Sequence, residues 1–347
     1  MMDKINQSVC AVVVTYNRKE LLLECLESLL KQSRSVQGVY VIDNFSTDGT
    51  PRTLLDAGYI SELPPENMDK PWEKEFIISN LTDKSPIVIH YVRMYENIGG
   101  AGGFYEGVKR GYERGYDWLW LMDDDSEPYE DALYKASNHF DKKNVVGLAN
   151  LKVNLDQKIL TYHRGYFNFN NIFKRVIIPI NEKNVEINKY IEIDHASFVG
   201  ILVNKYAISK IGFPNKNFFI HYDDVEYCIR LRTIGKMLLI CDSVICHKEA
   251  AEKGVEKIFL SKKSCRIPYE NLWISYYGNR NIVWLAKKYN TNSYNYHKAL
   301  IKKYIKTIIA ILIFDNKKMK RIKFITNAYV DGLRGTFDNI KPKKLLY

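Results

Sequence analysis

The sequence predicts an α/β fold with a mostly parallel central sheet, followed by a C-terminal helical region. Three observations carry this expectation. Apolar β-branched runs alternate with amphipathic stretches over the first 150 residues, short alternating segments occupy about 151–200, and helical periodicity runs from Ile267 almost to the end. Strands that alternate with helices imply right-handed βαβ units. In such sheets ligands sit at the carboxyl ends of the strands. A chain of 347 residues suggests about two domains, or one domain with an appendage.

The strand-like runs are Val9–Thr15, Val39–Asp43, Ile87–Val92 and Trp118–Met122; the helix-like stretches are Arg18–Lys31, Thr47–Ala57 and Gly103–Arg114. Ile60 to Ser85, rich in Pro, Glu, Asn and Asp, reads as a surface insertion. Beyond residue 150, β-hairpins are expected beside the parallel core, then a helix over Asp223–Ile234 and a strand over Met237–Cys241. The segments differ in type and no internal repeat is visible, which argues against a solenoid.

Composition narrows the class. Hydrophobic residues at 46% and charged residues at 26% fit a globular core and exclude disorder, collagen-like repeats and a coiled-coil rod. The net charge is +11, and Lys298 to Lys323 alone holds nine Lys/Arg against Asp315, a local +8. Attraction to an anionic partner is therefore concentrated near the C-terminus. Six scattered cysteines without a C-x-x-C pair suit reduced thiols in a cytoplasmic protein. The first apolar run, Val9 to Val14, is too short for an export signal, and Ile308 to Phe314 is far below the ~20 residues of a spanning helix. No transmembrane segment is expected.

Several motifs carry chemistry. Trp118-Leu-Trp-Leu-Met-Asp123-Asp124-Asp125 is a buried-strand pattern that ends in three carboxylates. Alternate residues at a strand end point the same way, so Asp123 and Asp125 can converge on Mg²⁺ or Mn²⁺, which prefer oxygen ligands. A solvated acidic turn that caps the next helix explains the same residues. Asn97-Ile-Gly99-Gly100-Ala-Gly102-Gly103 follows a strand and leads into a helix, where glycines let backbone amides approach an anion; a tight strand-to-helix turn is the alternative. Thr15-Tyr16-Asn17-Arg18 and Asp43-Asn44 end two further strands. Tyr16 can stack on a base, and Asp43 can accept from a ring N–H or a ribose hydroxyl. Asp223-Asp224-Val-Glu226 opens a helix, either as dipole compensation with a Glu226–Arg230 pair or as the seat of a general base. His247 ends an apolar run as a metal ligand or as an ordinary strand-end histidine.

The order and rough spacing of these motifs, from Val12-Val-Val-Thr-Tyr-Asn-Arg to His247, resemble glycosyltransferase family 2, the inverting enzymes of GT-A (Rossmann-like) fold. The resemblance covers residues ~8 to ~250, and Asn97-x-Gly-Gly-Ala-Gly-Gly-Phe with Asp223-Asp-Val-Glu-Tyr looks most like the galactofuranosyltransferase and rhamnosyltransferase subgroup. It implies a catalytic domain over 1–265 and a basic helical region over 266–347. It further implies that Thr15, Tyr16, Arg18, Asp43 and Asp124 hold the nucleotide sugar, with Asn97, Gly99, Gly100 and Gly102 beside its sugar and diphosphate. Asp123, Asp125 and His247 would bind Mn²⁺ or Mg²⁺, and Asp224 would be the catalytic base. Many family members carry Glu-Asp where this chain has Asp223-Asp224. The Gln-x-x-Arg-Trp element of processive synthases is absent, so single addition is expected.

The implied partners are a UDP- or dTDP-linked sugar donor and a glycan or lipid-linked acceptor, with no nucleic acid. Lys298, Lys302 and Lys306 share one face of a helix, and Ile301, Ile305, Ile308 and Leu312 another. Such a helix can lie on an anionic membrane, which would place the protein at the cytoplasmic face of the cell membrane; a core-facing helix with solvated lysines is the other reading. Two rival functions are a sugar-nucleotide nucleotidylyltransferase and a non-catalytic membrane or nucleic-acid binder. The first requires an N-terminal Gly-rich triphosphate loop that Val12-Val-Val-Thr-Tyr-Asn-Arg does not supply, and the second leaves the carboxylate pairs without a role.

Overall fold

The computed structural model describes residues 7–248, 255–259, 262–291 and 293–346. In chain order the first elements are β1 (Val9–Thr15), α1 (Lys19–Leu30), β2 (Gly38–Asp43), α2 (Thr50–Asp56), β3 (Trp72–Ser79), β4 (Pro86–Arg93), α3 (Gly99–Arg114), β5 (Trp118–Asp123) and β6 (Ser126–Pro128). There follow α4 (Ala132–Ser137), β7 (Val145–Val153), β8 (Arg164–Phe167), β9 (Ile177–Pro179), α5 (Glu182–Ile187), β10 (Tyr190–Ile193), β11 (His195–Ala196), β12 (Ile201–Asn204), α6 (Lys205–Ile211), α7 (Asp223–Arg232) and β13 (Lys236–His247). The last are β14 (Val255–Phe259), β15 (Lys262–Arg266), α8 (Leu272–Tyr289), α9 (Ser293–Phe314), α10 (Lys318–Arg334) and α11 (Lys341–Leu346).

A ten-stranded sheet in the order β10-β13-β7-β12-β5-β1-β2-β4-β3, with β6 paired to β13, forms the centre of the fold. β5, β1, β2 and β4 are consecutive parallel neighbours, and β7 and β13 are also parallel to each other. β12 runs antiparallel between β5 and β7. β1 and β2 are buried at every position and β5 at all but its last, as expected of parallel strands covered on both faces. On α1, Leu22, Cys25, Leu26, Leu29 and Leu30 are buried at helical spacing.

Two expectations are corrected. The segment Ile60–Ser85 is more than a surface insertion, because it contains β3, which pairs antiparallel with β4 at the edge of the sheet. The glycine-rich motif is likewise more than a turn before a helix at Gly103: Gly99 to Gly103 already belong to α3. Gly103, Gly107 and Gly111 recur once per turn against the sheet. A Cβ on them would lie 2.5 Å from Val14 Cγ1, 2.2 Å from Val12 Cγ1 and 2.6 Å from Leu119 Cδ2. Their missing side chains bring α3 close onto β1 and β5.

The chain divides into two units: residues 1–166, 179–216 and 224–249 form one, and 167–178, 217–223 and 250–347 the other. The second unit has its own core, which includes Tyr276, Ile282, Phe324, Ala328 and Tyr329. Within it Asn281 Nδ2 donates to the carbonyls of Phe218, Ile220 and His221, and Arg280 Nη2 to those of Asn217 and Phe218. Among the described residues no helix is long and apolar enough to cross a membrane, and all six cysteines are free thiols, five of them buried.

Candidate active site

Parallel register brings the strand-end motifs of the first unit together. Thr15 stands opposite Asp43, and Val14 opposite Asp123, so the carboxyl ends of β2, β1 and β5 lie side by side. Thr15 Oγ1 donates to Asp124 Oδ2 at 2.7 Å, while Arg18 Nη1 reaches Asp124 Oδ1 at 3.2 Å and Asp125 Oδ2 at 3.3 Å. The turns after β1 and β2 are laced to each other: Asn17 N–H donates to Ser46 Oγ, Thr47 N–H to Asn17 Oδ1, and Lys19 N–H to Asp48 Oδ2. Tyr16 projects from this rim 44% exposed, with its ring open to stacking.

Asp43 is placed differently from Tyr16. It is fully buried and accepts from Tyr91 Oη, Arg93 Nη1 and the Ser46 N–H. A carboxylate offers about four lone-pair sites, so three are already engaged in holding the turn. Asn97 Oδ1 accepts from Gly99 N–H at 2.8 Å, and Asn44 Nδ2 donates to the Gly99 carbonyl at 3.0 Å. Gly99 has φ +74°, a conformation that favours glycine. A Cβ on Gly100 would meet nothing within 4 Å, whereas one on Gly102 would press on Ile98. Gly100 therefore borders open space and Gly102 serves packing.

The acidic triplet acquires a histidine through strand pairing. β13 extends beyond the expected Met237–Cys241 to His247, which pairs with Ser126 of β6, and the Lys248 N–H donates to the Asp125 carbonyl. His247 Nε2 lies 3.0 Å from Asp125 Oδ1. One donor atom each from Asp123, Asp125 and His247 fall within 4.8 Å of one another. Burial, then repulsion from Asp125 and Asp124, raises the Asp123 carboxyl well above the ordinary range. Burial likewise pushes Asp124 up to about 6, against the pull of Arg18 and Thr15. Burial would lower the Arg18 guanidinium, but Asp124 and Asp125 outweigh it and its pKa is raised. Two carboxylates and an imidazole in a negatively charged pocket fit a hard divalent cation, whose charge would relieve the repulsion.

Four further groups behind this cluster carry no motif in the sequence. Lys152 is fully buried on β7 and close enough to Asp123 to favour its ionised form. His163 packs edge-on to His247 with ring centroids 5.7 Å apart, and its Nδ1 is 3.1 Å from Ser197 Oγ. Burial, then Lys152 and Arg164, holds His163 far below the usual imidazole range. The fully buried Arg164 donates to the carbonyls of Asn150, His163, Val199 and Gly200, and burial brings it down to about 10. His195 lies on β11, with Nε2 3.5 Å from Asp224 Oδ2. Asp224 sits in the first turn of α7 with its side chain 23% exposed, and Oδ1 accepts from the Val225 N–H. Glu226 instead binds Arg230 through both oxygens, the structural pairing expected at that spacing.

The sequence profile described as Glycosyl transferase family 2 matches residues 10–59 and 74–212, more than half of the chain. The chain belongs to glycosyltransferase family 2. The unmatched gap 60–73 falls just before and into β3, and Asp224 and His247 lie beyond the matched region. The family 2 chain is 26% identical over 236 residues to galactofuranosyltransferase GlfT1 of Mycolicibacterium smegmatis, covering 65% of this chain and 66% of that one. Against GlfT1 of Mycobacterium tuberculosis the identity is 28% over 250 residues, 70% and 71% of the two chains. The dTDP-rhamnosyl transferase RfbF of Shigella flexneri is 24% identical over 334 residues, 95% and 97% of the two chains.

Solved structures agree on the fold. The crystal structure of S. aureus TarS 1-349 superposes with a TM-score of 0.53 at 12% identity, covering 94% of this chain and 81% of that one. GalNAc-T7, solved with UDP, GalNAc and Mn²⁺, gives 0.50 at 11% identity, covering 95% and 58%. The fold is that of the GT-A glycosyltransferases, and this family 2 chain is a glycosyltransferase.

Proposed function

We propose that this glycosyltransferase moves a single sugar, with inversion, from a nucleotide-diphosphate donor to a glycan or lipid-linked acceptor in the assembly of a bacterial-type cell-surface polysaccharide. The observation that carries the reading is the convergence of Asp123, Asp125 and His247 beside Thr15 and Arg18 at the carboxyl end of the sheet. Asp123, Asp125 and His247 would hold Mn²⁺ or Mg²⁺, whose charge offsets that developing on the departing diphosphate. Tyr16 offers its ring to the base, while Asp43 and the laced turns after β1 and β2 set the nucleotide's position. Asn97 and the amino end of α3, with Gly99 and Gly100, border the donor sugar, while Gly102 lets the first turn of the helix close on Ile98. Thr15 and Arg18 orient Asp124 and Asp125, which keeps the acidic edge of the pocket rigid.

Asp224 then acts as general base. Its partly exposed carboxylate takes the proton of an acceptor hydroxyl as that oxygen bonds to the anomeric carbon and the diphosphate oxygen leaves from the opposite face. One such displacement inverts the anomeric configuration. The base is distinct from the metal-binding carboxylates, so proton removal and leaving-group stabilisation fall to different residues.

For the donor, the similarity to two mycobacterial galactofuranosyltransferases favours UDP-galactofuranose. A second reading, dTDP-rhamnose, is favoured by near-complete coverage of the Shigella rhamnosyl transferase. Both sugars would be added at the cytoplasmic face of the cell membrane, where lipid-linked acceptors are available. Screening nucleotide sugars for Mn²⁺-dependent turnover on a lipid-linked glycan acceptor tests the reading. Turnover of UDP-galactofuranose above UDP-galactopyranose supports it, productive use of dTDP-rhamnose alone selects the second donor, and metal-independent turnover contradicts the metal assignment.

A further inference from the structure

Helix α9 carries two apolar stripes where a core helix needs one. Tyr296, Leu300 and Ile311 are buried in the core of the second unit. Ile301, Ile305, Ile309, Leu312 and Ile313 face solvent, each between 42% and 58% exposed. Their spacing of four, four and then three or four residues places them on one continuous arc of the helix. Lys298, Lys302 and Lys306 are exposed as well and interleave with this arc. Ile308, expected from its spacing to join the apolar face, is only half-buried at the flank. The solvent-facing isoleucines exclude the plain core-facing helix with a lysine-only outer face.

We infer that this second stripe of α9 is a docking surface for an anionic lipid bilayer. The inference rests on the proposed function only in the choice of a lipid-linked acceptor. Charge argues for lipid over a second copy of the chain. From Ser293 to Phe314 the helix has four lysines and no acidic residue. A two-fold contact would set this patch against itself and oppose its lysines, whereas anionic headgroups complement them. An apolar strip interleaved with lysines can lie in a membrane interface, the isoleucines entering the acyl boundary while the lysine stems carry their heads up to phosphate. The connection to α10 is only three residues, 315–317, so the exposed Lys317, Lys318, Met319 and Lys320 follow within a few residues of the end of the stripe.

The test is co-sedimentation of the full chain with vesicles of phosphatidylcholine alone or mixed with phosphatidylglycerol. Binding should require the anionic lipid and weaken with salt. Lys298→Gln, Lys302→Gln and Lys306→Gln should each reduce it roughly fivefold, and Ile305→Ser with Ile309→Ser should reduce it at least tenfold. These side chains face solvent, so the variants should melt like the parent; if the double isoleucine variant unfolds, the single Ile305→Gln variant takes its place. Equal binding to neutral vesicles, no binding to anionic vesicles at low salt, or unchanged binding of the isoleucine variants would each overturn the inference. So would a concentration-dependent dimer that the isoleucine variants abolish. Mn²⁺-dependent release of UDP from UDP-galactofuranose or of dTDP from dTDP-rhamnose, measured without vesicles, separates this inference from the catalytic reading. Absence of both in the parent protein with vesicle binding intact contradicts the catalytic reading alone.

Discussion

His195 Nε2 lies 3.5 Å from Asp224 Oδ2, and both belong to the same structural unit although β11 and α7 are separate elements. The imidazole lies beside one oxygen of the carboxylate proposed as the base, and Asp224 Oδ1 accepts from the Val225 N–H.

Asp224→Asn should retain donor binding and lose transfer, because an amide keeps the shape and part of the hydrogen bonding but cannot accept a proton. The loss should fall in kcat by roughly 10²–10⁴-fold, with KM for the donor little changed. Steady-state kinetics check this, and near-normal turnover would move the role to another carboxylate.

His195→Ala should leave the base in place but unoriented. A kcat loss of roughly ten- to a hundredfold is expected, with donor KM unchanged, since small misplacement of a reacting group has effects of that order. His195→Gln, which can still donate to Asp224, should recover part of the rate. If Ala and Gln are equally impaired, the contact does not position the base.

Gly107→Ala sets helix propensity against packing. Alanine is favoured in a helix interior by about 1 kcal/mol, but its Cβ would come 2.2 Å from Val12 Cγ1. Overpacking should win, with a net destabilisation of about 1–3 kcal/mol in urea melts, and Val12→Ala should relieve it in the double variant. A more stable Gly107→Ala protein would show that α3 can move off the sheet at little cost.

His90 supplies a pH dependence. Its ring stacks on Tyr40 with centroids 4.2 Å apart, and Nε2 is 3.0 Å from Tyr116 Oη. Burial brings its pKa down to about 4 despite the opposing pull of Glu75. The unfolded chain therefore takes up the proton first, so stability is lost as pH falls from about 6.5 towards 4, by at most about 1.4 kcal/mol per pH unit. The stability difference between the parent and His90→Gln should shrink over that window. A difference independent of pH would contradict the buried neutral imidazole.

The parallel half of the fold was legible because its signals are local: each strand is a short apolar run and each helix an amphipathic one. β3 was hidden by its position at the sheet edge, where Glu73, Lys74 and Glu75 are exposed charges of the kind that keep an edge strand from further pairing. The antiparallel insertion of β12 between β5 and β7 is a long-range pairing with no local trace. At the site, Thr15, Arg18 and Asp123–Asp125 were readable as polar groups that end apolar runs. Lys152, His163, Arg164 and His195 were not, because single polar residues in short strands and the turns between them form no motif. Lys152 left one usable signal: a lysine inside the apolar run Val145–Val153 is a buried charge that needs a counter-charge nearby.

Calorimetric titration of UDP with and without Mn²⁺ directly addresses the cluster formed by Asp123, Asp125 and His247. In the parent protein Mn²⁺ should strengthen UDP binding by at least tenfold, and Asp125→Ala should remove that enhancement while leaving the weak metal-free binding in place. Equal UDP affinity with and without Mn²⁺ in the parent, or an undiminished Mn²⁺ effect in Asp125→Ala, would contradict that cluster's role as the metal site.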